Sequence, residues 1–169
     1  MTLFRAPWPN PADAPPPQDR DHRNATQLLN ASMSYARLIL RRYGQLAPFA
    51  FSMDREGQIA RETLEIPRLP RDPERQFKLL SDHIAERIRR GAIQGVALCA
   101  NVTLPTPSQE KYTDAILLTI EQESGHALQV TVPYQIYGGQ FHNLLPRRIA
   151  LGQTLGEEIP PLFFSATRS

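Results

Sequence analysis

The chain has a single cysteine, Cys99, so neither an internal disulfide nor a multi-cysteine metal centre is available to it. That is compatible with a reducing compartment. Lysine is nearly absent, with only Lys78 and Lys111 among nineteen basic residues. Such an arginine bias reads as genome composition before it reads as a phosphate site. The nine glycines stand singly apart from Gly138-Gly139, which excludes a glycine-rich phosphate loop. No apolar run approaches the ~20 residues that span a bilayer. The strongest, Val96–Ala100 and Ala115–Leu118, are far shorter. The start, MTLFRAPWPNPADAPPPQD, is broken by proline too often for the apolar stretch of a secretory leader. A soluble, cytoplasmic protein is therefore expected. Nineteen basic against seventeen acidic residues leave a net charge of +2, too weak a field for a dedicated nucleic-acid binder.

Proline is abundant. Six of the sixteen fall at positions 7, 9, 11, 15, 16 and 17, where missing N–H groups and restricted predecessors oppose regular structure. Residues 1–22 are accordingly expected to be a proline-rich arm, 23–150 one α+β domain and 151–169 an irregular apolar tail. The arm carries Leu3, Phe4 and the sole tryptophan, Trp8. Tryptophan is enriched at interaction hot spots, so Trp8 and Phe4 are candidate partner-binding residues.

From Asn24 an apolar stripe at helical spacing (Leu28, Ser32, Tyr35, Ile39, Tyr43) predicts a helix ending at Gly44. Phe49, Phe51 and Met53 alternate as in a strand, and Asp54-Arg55-Glu56-Gly57 reads as a turn with Gly57 in the left-handed position. That turn sets Met53 opposite Ile59. Asp72-Pro73 opens a second helix, with Asp as N-cap and Pro at the first helical position. Phe77, Leu80, Ile84 and Ile88 form its apolar stripe.

Three further strands are expected. Val96, Leu98, Ala100 and Val102 share one face of the first, and Ala97, Cys99, Asn101 and Thr103 the other. A loop over 104–113 follows. A Ser124-Gly125-His126 connection then sets Ile120 opposite Val130 and Leu118 opposite Val132. Phe141–Ile149 reads as a short irregular helix. The expected fold is α+β, in the order αββαβββ, with a five-stranded mainly antiparallel sheet and both helices on one face.

No catalytic constellation emerges. Cys99 sits mid-strand, with no helix N-terminus beside it to favour the thiolate, and reads as a structural cysteine. The four histidines lack metal-ligand spacing, and His83 beside Asp82 reads as an ordinary helix-face residue before an acid or base. Glu121 and Glu123 read as exposed edge protection. Arg41, Arg42, Arg89 and Arg90, with Arg147-Arg148, form an anion patch only if they converge. Two of the pairs already complement helix dipoles.

In wording, PFAFSMDREG, ERIRRG, GVALCANVTLP, TDAILLTIE and VTVPY resemble small uncharacterised bacterial α+β proteins over residues 48–134. The element order is similar to that of profilin-like and roadblock-type sheets. Neither resemblance implies a catalytic residue. The leading expectation is a non-enzymatic protein-binding module, an immunity-like inhibitor or adaptor. It would act through its arm and a polar sheet face of Asn101, Thr103, Thr119 and Thr131. The partner is another protein; self-association is compatible with this, while nucleic acid, membrane and cofactor are not expected. The alternatives are a small-molecule site between sheet and helices, marked by a polar pocket at His83 or Tyr134, and nucleic-acid binding through the arginine pairs.

Overall fold

The computed structural model describes residues 17–108, 112–139 and 145–165. Two helices and seven strands follow in the order α1 (Pro17–Tyr43), β1 (Phe49–Asp54), β2 (Ile59–Arg61), α2 (Pro73–Arg89), β3 (Ile93–Ser108), β4 (Tyr112–Gln122), β5 (Ala127–Tyr137), β6 (Arg148–Leu151) and β7 (Leu155–Glu158). The first seven elements keep the expected order. The sheet runs β2-β1-β3-β4-β5-β6, with β7 also pairing β5, and every pair is antiparallel.

The two added strands lie one after the other along the same edge of β5, with Leu151 opposite Tyr134 and Leu155 opposite Thr131. Between them the Gly152 N–H donates to the Pro133 carbonyl at 2.7 Å. Four residues each, and interrupted by Gly152, they have too few alternations to register as strands in the sequence. In the described part of the helix expected over 141–149, residues 145–147 are irregular and 148–149 begin β6, and the tail expected to be irregular contributes β7.

α1 begins at Pro17, seven residues before the expected start, because Pro17 takes the first helical turn as Pro73 does in α2. Ala25, Leu28, Ser32, Ala36 and Leu40 form its buried seam. Small side chains in that seam let the helix approach the sheet closely. α2 keeps the expected cap, with the Asp72 side chain accepting from the Glu74 N–H, and buries Leu80, Ile84 and Ile88.

The helices lie on opposite faces, not on one. α1 packs with Phe49, Met53, Ala97, Cys99, Ile116, Leu118 and Ile120, whereas α2 packs with Ala50, Val96, Leu98 and Phe164. Neighbours along a strand point to opposite sides. β3 is apolar on both sides, Val96 and Leu98 against Ala97 and Cys99, and so needs a cover on each.

The first hairpin has the expected register, Met53 opposite Ile59 and Phe51 opposite Arg61, with Gly57 at φ 84°. The second is displaced by two residues: Ile120 faces Leu128, Leu118 faces Val130 and Ile116 faces Val132. Its loop is 123–125, closed by the Gly125 N–H on the Gln122 carbonyl at 2.9 Å, with Gly125 at φ 96°. A three-residue loop of this kind requires its left-handed residue last, which fixes the turn one place earlier than Ser124-Gly125-His126. An even slip leaves each side chain on its expected face. The loop expected over 104–113 is instead largely strand, with β3 and β4 pairing out to Ser108 and Tyr112.

Candidate functional site

β2 is only three residues long, and beyond it the Glu62 N–H donates to the Ala50 carbonyl at 2.8 Å before the chain leaves the sheet. Residues 62–72 then cross to α2 without regular structure, containing Pro67 and Pro70, which have no N–H to offer a ladder. The start of this connector is pinned from beneath. Glu62 shares a sheet face with Ser52, under α2, and its side chain is 5% exposed. It accepts a short hydrogen bond from Ser52 Oγ, meets His83 Nε2 at 2.8 Å and pairs with Arg87 Nη1 at 3.6 Å. His83 and Arg87 are one turn apart on α2, so one carboxylate ties β1, the connector and α2 together. At the far end Gln76 Nε2 donates to the Pro70 carbonyl at 2.5 Å.

This cluster is a clamp and not a nucleophilic triad. Glu62 stands between the Ser52 hydroxyl and the His83 ring, so the imidazole does not reach the hydroxyl it would have to activate. Among the described residues no group of three or more His, Cys, Asp or Glu side chains is placed to hold a metal. No described helix is long and apolar enough to cross a membrane.

Clefts surround the connector. One of about 470 Å³ lies beside Ser52, Glu62, His83 and Arg87. Another of about 390 Å³ lies toward Tyr35, Phe49, Leu64 and Leu69. A third of about 540 Å³ has Arg68, Arg71 and Arg75 beside Asp72, with Ile66, Leu69 and Leu79 among them. A fourth, about 370 Å³, joins Tyr43 and Ile39 of α1 to Arg71 and Pro73. Shared residues make them one continuous grooved surface. Large apolar side chains stand out of it, with Leu69 54% and Tyr43 55% exposed and Ile66 and Leu79 also exposed. Arg61 lies over the Tyr35 ring at 5.2 Å and Arg42 over Tyr43 at 5.5 Å.

The residues singled out from the sequence do not assemble as expected. Trp8 and Phe4 lie outside the described residues. Asn101 and Thr103 lie on the α1 face, Asn101 opposite Ile116, whereas Thr119 and Thr131 lie on the α2 face, opposite Leu98 and Leu117. They do not share one polar surface, because the expectation grouped strands before their register was fixed. Asn101 Oδ1 accepts from the Tyr134 hydroxyl at 2.7 Å. Burial, then the nearby charge of Asp114, raises the Tyr134 hydroxyl pKa to about 12. Cys99 is fully buried, and burial pushes its thiol pKa up.

The arginine pairs do not converge either. Arg41 and Arg42 end α1, where Arg147 Nη1 donates to the Arg42 carbonyl at 2.8 Å. Arg89 and Arg90 end α2 at the other end of the sheet, both paired with Glu86. Glu121 is not exposed: it is fully buried on the α2 face. It accepts from the backbone N–H groups of Leu162 and Phe163 at 2.9 Å and of Phe164 at 3.4 Å. Glu123 is exposed and pairs with Arg55.

Sequence reasoning missed Glu62, His83 as its partner, and the whole connector surface. The connector had one legible signal, two prolines and two arginines interleaved with Ile66 and Leu69 between a strand and a helix cap. No family model matches the chain, and no curated protein or solved structure matches it.

Proposed function

We propose that the chain is a non-enzymatic protein-binding module, of the inhibitor or adaptor kind, that takes its partner on the surface around residues 62–72. One observation carries this reading. Exposed Tyr43, Ile66, Leu69 and Leu79 gather around an irregular segment that Glu62 and Gln76 hold at its two ends. Clustered large apolar groups rimmed by arginine are the composition of a protein interface, and a pinned segment loses little freedom on binding. The originally expected sheet face is set aside because its four polar residues lie on two faces. The arm bearing Phe4 and Trp8 remains in the proposal as a second contact.

The test is quantitative co-isolation from the native host with wild-type chain, a Leu69→Asp/Leu79→Asp variant, and a chain lacking residues 1–16. A partner lost on the double substitution, with circular dichroism unchanged, supports the reading. A partner indifferent to it removes the connector from the interface.

A ligand-binding reading is favoured by the cleft beside His83, whose 470 Å³ falls within the usual ligand-site range of roughly 300–1,000 Å³. A small molecule whose saturable binding shifts the His83 ring resonances, and loses affinity on His83→Asn, would put that reading first.

A further inference from the structure

We infer that the partner segment received by the connector surface is acidic, an inference that rests on the protein-binding reading above. At the opposite end of the molecule the cations are paired, Arg55 with Glu123 and both Arg89 and Arg90 with Glu86. Around the connector, Arg87 on Glu62 apart, they are not. Among the described residues, Arg42, Arg61, Arg68, Arg71 and Arg75 have no carboxylate within ion-pair distance. Of the neighbouring acids, Glu62 lies buried under Ser52, His83 and Arg87, while Asp72 caps α2 through a backbone N–H and keeps its charge. Glu65, Asp72 and Glu74 are the carboxylates of this stretch without a cationic partner among the described residues.

The surface therefore presents five unpaired guanidiniums against three exposed carboxylates, Glu65, Asp72 and Glu74, although the chain as a whole is nearly neutral. A guanidinium offers its donors in a planar fork that matches a carboxylate with two parallel bonds. Arg42 and Arg61 rest on aromatic rings, which limits the rotamers they lose on pairing. The apolar groups decide between classes of polyanion. Leu69 lies in the same cleft as Arg68, Arg71 and Arg75, with Ile66 and Leu79 beside it. Aliphatic side chains set between arginines match a peptide in which acidic and apolar residues alternate. A phosphodiester backbone would leave them without apolar contacts.

Fluorescence anisotropy tests this with three probes: a labelled peptide alternating glutamate and leucine, its lysine–leucine counterpart, and a DNA duplex of matched charge. The expected result is saturable binding of the glutamate peptide alone, weakened by salt and by about tenfold or more in an Arg68→Glu/Arg71→Glu variant of unchanged circular dichroism. Tighter binding of the duplex, equal binding of the lysine peptide, or indifference to charge reversal overturns it. The co-isolation experiment separates the two proposals. A partner lost on Leu69→Asp/Leu79→Asp but retained on charge reversal leaves a protein-binding module whose partner is not acidic. A partner retained on both removes both readings.

Discussion

Glu62 joins three elements through one side chain, and its loss should be felt in all of them. Glu62→Ala would leave Ser52, His83 and Arg87 facing an empty site. The expected cost is about 1–2 kcal/mol in urea unfolding, since Ser52 loses its partner in the interior while His83 and Arg87 keep access to water. Glu62→Gln keeps the volume and one acceptor, and should cost less. Ser32 gives the opposite prediction. Its hydroxyl is buried in the α1 seam without a hydrogen-bond partner, so Ser32→Ala should raise stability by about 1 kcal/mol. Tyr134 supplies a pH prediction. Its folded pKa of about 12 lies above the ordinary tyrosine value of about 10, so the unfolded state releases its proton first. This contribution to stability is fully present below about pH 10 and is lost as pH rises toward 12. Absorbance titration near 295 nm should show a late-ionising tyrosine that disappears in Tyr134→Phe.

At the scale of elements, residues 162–164, past the β7 ladder, are held by a carboxylate. Glu121 accepts three successive backbone N–H groups while Phe164 enters the α2 core. Glu121→Gln should therefore leave the sheet folded but increase amide exchange of Leu162, Phe163 and Phe164 by about tenfold or more. Unchanged exchange would remove the latch from the account. These elements were unevenly legible in the sequence. The first hairpin and the α2 cap were readable because Gly57 and Asp72-Pro73 act locally, through backbone conformation and a missing donor. The second hairpin was readable by face but not by register, since alternation is blind to an even slip and only the glycine's place in the loop removes the ambiguity. Glu121 and Glu62 were not readable as buried. A carboxylate's burial depends on donors that arrive from forty-one residues along the chain in one case and twenty-one in the other.

Over the whole molecule, the sheet separates two different cores and the ends separate two different surfaces. One end is cross-linked by Arg55, which reaches Glu123 and the Gly91 carbonyl, so its charges are largely spent. The other presents unpaired arginines and exposed leucines on a clamped connector. The functional expectation of a protein-binding module came from what the sequence lacks. The surface now proposed for it came only from the fold, because residues 39–43, 62–72 and 73–79 are brought together by packing and not by any shared motif. The far edge of the sheet, at β7, supplies an internal control: Leu155 is 60% exposed yet lies across the sheet from the connector. The most direct test is photo-crosslinking in the native host, with a benzophenone amino acid replacing Leu69 in one strain and Leu155 in another. The account predicts a discrete adduct with another protein from position 69 and none from position 155. An adduct from 155 alone, or none from 69, would contradict it.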